Sequence, residues 1–356
     1  MDFPAVRGLY ATAVERENIR LRRLRGVPRL SCTDDPIMQR TRICNVRRRD
    51  DRTTQSFQEH CDEAVAKWHG GWLHLSAAEQ CRLGGLLVFN CALRRAFGME
   101  AFANAVSGVV ERWEESEKSR IVEVALSLFK RGYHSYTAAY APPRICRRVE
   151  CQSYSAGDES KVRTVYARTC RELDSLWLEK DLVAQKALNS RSLEDTICCL
   201  RVVPQFGGTG FRAKEVVLDL LFTPLFQEWD VQGRVWLNAC TDVLTWSAIG
   251  PGARRGLNRI WGRKIGHGIH SVSKHVENIF LEELRIVYAF QADHWPYSEL
   301  HMPDVQFWLC EWDKYMRVKT GGVSARRYDS SNEASANPRR PGRLHMNYPL
   351  KVLPDY

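Results

Sequence analysis

Carboxylates and arginines are the residues through which this sequence could do chemistry. Asp242 stands in Cys240-Thr241-Asp242-Val243-Leu244-Thr245-Trp246, an acid among mostly apolar neighbours, and Glu311 and Lys314 lie three positions apart in Leu309-Cys310-Glu311-Trp312-Asp313-Lys314-Tyr315. A carboxylate so placed can take a proton from an incoming nucleophile, which makes Asp242 the first candidate base and Glu311 the second, with Lys314 beside it. The plainer reading of Glu311 and Lys314 is a surface pair contributing a few tenths of a kcal/mol, roughly the usual value at that spacing. Cations gather in Gly250-Pro251-Gly252-Ala253-Arg254-Arg255-Gly256-Leu257-Asn258-Arg259, where Arg254, Arg255, Asn258 and Arg259 suit phosphate oxygens. A second basic stretch sets Arg42, Asn45 and Arg48 at three-residue steps, one stripe if the chain is helical there. A third candidate is the turn Gly207-Gly208-Thr209-Gly210, followed by Arg212 and Lys214. Glycines free backbone N–H groups to point outward, and a helix N-terminus adds partial positive charge. Gly208, Gly210, Arg212 and Lys214 therefore read as DNA phosphate contacts. Trp246 and Trp261 offer flat aromatic surfaces for stacking, although core burial is the commoner fate of tryptophan.

Helices must position all of these. Apolar residues recur at helical spacing from Phe211 to Leu221, so a helix starts where the glycines stop. Thr33-Asp34-Asp35 can cap a helix with Pro36 in its first turn, carrying Ile37, Ile43 and Val46 toward a core. Asp34, Asp35 and Asp51 suit capping helices and pairing with arginines as well as they suit catalysis. Ser76-x-x-Glu79 and Ser192-x-x-Asp195 are capping boxes, and Val305, Trp308, Leu309, Trp312 and Tyr315 share one helical face. Residues 1–29 read as a basic arm or solvated helix, and 30–320 as the helical body. Residues 141–158 read as a basic loop or interdomain linker, and 321–356 as a disordered tail. The expected class is all-α.

Composition narrows the function. The chain has 356 residues and a net charge of +10, with the excess in local runs, which favours a polyanionic partner. Its twelve cysteines are scattered without paired zinc or iron–sulfur spacing, so no metal and no cofactor is expected. No signal-like or membrane-length apolar run occurs, and a soluble intracellular protein is expected.

Gly208-Thr209-Gly210-Phe211-Arg212-Ala213 followed by Asp242 resembles the hairpin and acid of helix-hairpin-helix DNA glycosylases. Three longer stretches carry a more specific resemblance. They are Thr33-Asp34-Asp35-Pro36-Ile37 through Arg42-x-x-Asn45-Val46-x-Arg48-x-x-Asp51-Arg52, Gly250 through Asn258, and Leu309-Cys310-Glu311-x-x-Lys314-Tyr315-x-Arg317. Jointly they resemble the alpha-glutamyl/putrescinyl thymine pyrophosphorylases. That family takes in the helical domain joined to 5-hydroxymethyluracil DNA kinases and amino acid:DNA transferases, and it is remotely similar to the glycosylases. The resemblance implies a multi-helix glycosylase-like fold and double-stranded DNA carrying a modified thymine as partner. It implies that an amine co-substrate, an amino acid or polyamine, displaces diphosphate from the 5-hydroxymethyl group. The sequence has no glycine-rich loop ending in Gly-Lys-Ser/Thr, so the kinase step is expected of a separate 5-hydroxymethyluracil DNA kinase. A base-excising glycosylase and a non-catalytic module that reads modified DNA or docks a kinase remain alternatives.

Overall fold

The computed structural model describes residues 2–41, 43–68, 72–97, 100–106, 108–131, 159–208, 210–229, 236–297 and 299–322. In chain order the helices are α1 (Phe3–Leu24), α2 (Pro36–Arg40), α3 (Arg52–Lys67), α4 (Ala77–Phe97), α5 (Glu100–Val106), α6 (Glu115–Lys130), α7 (Glu159–Glu172), α8 (Asp174–Ser190), α9 (Leu193–Arg201) and α10 (Phe211–Leu220). Strands β1 (Gln227–Trp229) and β2 (Trp236–Asn238) then pair antiparallel, with Glu228 opposite Leu237, before α11 (Pro251–Ile260), α12 (Lys274–His294) and α13 (Met302–Lys319). The protein is all-α apart from this short hairpin, as the periodicity leads one to expect. Its chain divides into two compact units, 1–47 with 244–356, and 48–243. The proposed linker at 141–158 and the tail from 323 onward lie outside the described residues.

The first unit is built on α1, α11, α12 and α13. Its core joins Val6, Leu9 and Ala13 of α1 to Leu257, Leu284, Trp308 and Leu309. Residues 1–29 are thus no free basic arm: Asp2 caps α1, and the 6, 9, 13 spacing lays one face of the helix into the core. Burying a side chain such as Leu9 contributes about 2 kcal/mol. α11 and α13 cross so closely that a Cβ on Gly256 would lie 2.7 Å from the Leu309 carbonyl oxygen, and one on Gly252 2.7 Å from Cys310 Sγ. Gly252 and Gly256 are therefore contact residues in this crossing.

The second unit centres on α4, buried nearly all the way from Leu83 to Arg95. Ser76 and Glu79 form the expected reciprocal cap at its start: the Glu79 N–H donates to Ser76 Oγ at 3.3 Å, and the Ser76 N–H donates to Glu79 Oε2 at 2.8 Å.

Candidate functional site

In the first unit the three motif stretches meet on α13. Its apolar face is the one the sequence predicts, with Val305, Trp308, Leu309 and Trp312 buried, and the indole N–H of Trp308 donates to the Val46 carbonyl at 2.9 Å. Glu311, expected off the centre of that face, is 6% exposed. Its Oε2 accepts from the backbone N–H of Cys44 at 3.2 Å and from Lys314 Nζ at 2.6 Å. Burial pushes the Glu311 carboxyl up. The charges of Lys314 and Arg16 and the hydrogen bonds to Lys314 and Cys44 outweigh burial, leaving it below the usual carboxylate range. Glu311 is thus a buried anion rather than half of a surface pair.

Arg16 completes this centre. It donates through Nε and Nη2 to the Cys44 carbonyl at 3.1 and 2.6 Å, and through Nη2 to the Asn45 carbonyl at 2.9 Å. Its guanidinium is buried, and burial lowers its pKa against the raising effect of Glu311. Nearby, buried Glu17 takes Arg20 Nε at 2.9 Å and Arg47 Nη2 at 3.3 Å. One turn beyond Glu311, the Tyr315 hydroxyl donates to Asp35 Oδ2 at 2.8 Å, while Asp35 Oδ1 caps α2 by accepting from Ile37 and Met38. Burial and the Asp35 bond push Tyr315 up to about 12.

These contacts correct the reading of residues 36–48. α2 stops at Arg40, and 43–47 run without helix, so Asn45 does not lie on a helical stripe. Arg42 lies outside the described residues, and Asn45 offers its carbonyl to Arg16. Arg48 belongs to the second unit. There its Nε donates to Asp219 Oδ1 at 2.9 Å and its Nη1 to Glu215 Oε2 at 2.7 Å. Arg95 and Thr54 also bond Asp219, and Lys214 pairs with Glu215 at 2.9 Å. All five charged groups of this network are buried. Lys214, read as a phosphate contact, is therefore interior, because every residue of α10 from Ala213 to Leu220 is buried.

The glycine turn forms as expected, with Gly208 and Gly210 at φ values of 68° and 71°, a left-handed geometry that favours glycine. α10 begins at Phe211 directly after it. Arg212 donates to the Gln205 carbonyl at 3.4 Å and lies 3.7 Å from Glu172. Asp242 sits at the N-terminus of α9. Its Oδ2 accepts from Ser192 Oγ at 2.7 Å and the Glu194 N–H at 3.0 Å, and its Oδ1 from the Leu193 N–H at 2.7 Å and Cys240 Sγ at 3.2 Å. Both oxygens are thus engaged in holding the helix start. Ser192 caps α9 as expected, its Oγ accepting from the Asp195 N–H at 3.1 Å, while the Asp195 carboxylate pairs with Lys186 at 2.9 Å.

The basic stretch at 250–259 divides by helical phase. Arg254 is buried and donates to the carbonyls of Ile249, Gly268 and Ser271, and Asn258 donates to those of Ile265 and His267. Both tie the loop after α11 to the helix, which corrects their reading as phosphate contacts. Arg255 and Arg259, four positions apart, leave from another face and reach Asp313. Trp246 and Trp261 are half-buried, Trp261 against the core of the first unit.

Sequence reasoning missed Arg16 and Asp313. Continuing the 6, 9, 13 spacing of α1 leads to Arg16, and Leu309 plus four leads to Asp313, so periodicity placed both on inner faces had it been extended to polar residues.

Residues 4–73 and 85–325 match the family described as 5-hmdU DNA kinase, helical domain. No curated protein and no solved structure matches the chain. No helix among the described residues is long and apolar enough to cross a membrane.

Proposed function

We propose, from the premise that the chain belongs to the 5-hmdU DNA kinase helical-domain family, that it exchanges a diphosphate on the 5-hydroxymethyl group of uracil in DNA for an amine. What supports this reading is the meeting on α13 of separate stretches: Cys44 on Glu311 and Asp35 on Tyr315, 267 and 280 positions apart, and Arg255 on Asp313, 58 apart. Buried charged groups drawn together from separate motifs are concentrated at functional sites.

The chemistry balances with the groups present. The amine nitrogen donates its lone pair to the 5-methylene carbon and forms the C–N bond. The C–O bond to diphosphate breaks, and its electron pair leaves on the diphosphate oxygen. The proton shed by nitrogen passes to Glu311, ionised at neutral pH, and on to the diphosphate, the stronger base. Lys314 and Arg16 keep Glu311 charged without a proton, and Asp242 stays with the start of α9. The sequence holds no glycine-rich kinase loop, so phosphorylation of the hydroxymethyl group falls to another domain or chain.

Release of inorganic diphosphate from DNA bearing 5-diphosphooxymethyluracil should require an added amine. Release that proceeds equally without any amine would point to hydrolysis and overturn the reading.

A further inference from the structure

α11 and α13 bring three arginines to one acid. Arg255 Nε donates to Asp313 Oδ2 at 2.8 Å, Arg259 Nε donates to Oδ1 at 3.0 Å, and Arg317 Nε lies 3.3 Å from Oδ2. The Asp313 side chain is 0% exposed, while those of Arg255, Arg259 and Arg317 are 28%, 17% and 46% exposed. Three positive charges against one negative leave the cluster with a surplus of two. The hydrogen bonds of Arg255 and Arg259 to Asp313 use the inner nitrogen, as does the approach of Arg317, and the outer Nη groups make no hydrogen bond to any described residue. Guanidiniums gathered this closely repel one another, and Asp313 alone offsets only part of that cost. Their guanidinium forks match the spacing of phosphoryl oxygens.

We propose that Arg255, Arg259 and Arg317 form a phosphoryl-binding site, positioned by Asp313, and that its occupant is the diphosphate of the modified base. This rests on the proposed exchange for the identity of the ligand, although binding is measurable without turnover. A backbone phosphate of DNA offers the same oxygens but one charge, whereas a diphosphate carries enough negative charge to match the surplus. Arg317 was the unassigned end of the third motif, and Asp313 acts through the arginines as a positioning residue.

The test is calorimetric titration of the whole protein with inorganic pyrophosphate, with an unmodified DNA duplex in a parallel arm. Pyrophosphate should bind, and Arg317→Ala, at the most exposed of the three, should weaken it about tenfold or more. Arg317→Lys keeps the charge, loses the fork, and should also weaken it. Asp313→Asn removes the cluster's one negative charge and raises its surplus from two to three. A loose patch of charge would then bind pyrophosphate more tightly, and a positioned site more weakly, with circular dichroism confirming the fold. No pyrophosphate binding, or binding unchanged by Arg317→Ala, overturns the site. Loss of duplex binding in Arg317→Ala with pyrophosphate affinity unchanged overturns the diphosphate assignment. Pyrophosphate held by these arginines in a protein that moves no amine supports the site and sinks the exchange reaction.

Discussion

The backbone N–H of Cys44 donates to Glu311 Oε2 at 3.2 Å across 267 positions of chain. Arg16, donating to the Cys44 carbonyl, holds the next peptide of the same residue. Glu311 therefore has two dependencies, one on charge and one on the non-helical course of residues 43–47. Its carboxyl is held below the usual range, so its contribution to stability is complete above the ordinary carboxylate pKa and disappears as pH falls through its lower folded value. Glu311→Gln should cost about 3 kcal/mol at pH 7, because Arg16 and Lys314 lose a buried partner. The deficit should shrink toward zero in acid. Urea unfolding at pH 7 and pH 3 measures it, and a deficit independent of pH would show that the charge on Glu311 contributes nothing.

Gly256 faces the backbone of Leu309, not a movable side-chain tip. Gly256→Ala gains helix propensity, worth about 1 kcal/mol, but pushes a methyl group against a carbonyl and should lose about 1–3 kcal/mol overall. A rise in melting temperature would mean that α11 and α13 can separate at little cost.

Helix periodicity made α13, the start of α10 and the Ser76–Glu79 cap legible, because each depends on residues within a few positions. The course of 43–47 was not legible. Its helical-looking spacing yields to tertiary bonds, since the Cys44 and Asn45 carbonyls are taken by Arg16 and a helix would need them for itself. Arg254 and Arg255 are adjacent and chemically alike. Only the 100° between neighbouring helix positions sends one into the interior and the other to Asp313.

Asp242 accepts hydrogen bonds from the first N–H groups of α9, so Asp242→Ala should cost about 1–2 kcal/mol. Amine transfer per folded molecule should hardly change, with Asp242→Asn intermediate in stability. If Asp242→Asn abolishes transfer while melting like the unaltered protein, the proton acceptor is Asp242 and Glu311 is structural.

The exchange reaction itself is tested most directly by weighing the base. DNA containing 5-diphosphooxymethyluracil is incubated with the protein and a mixture of amino acids and polyamines, digested to nucleosides and analysed by mass spectrometry. A nucleoside that has lost diphosphate and gained the mass of one amine is the expected product, absent with Glu311→Gln. An unchanged nucleoside with every donor, or release of the free base, would contradict the account.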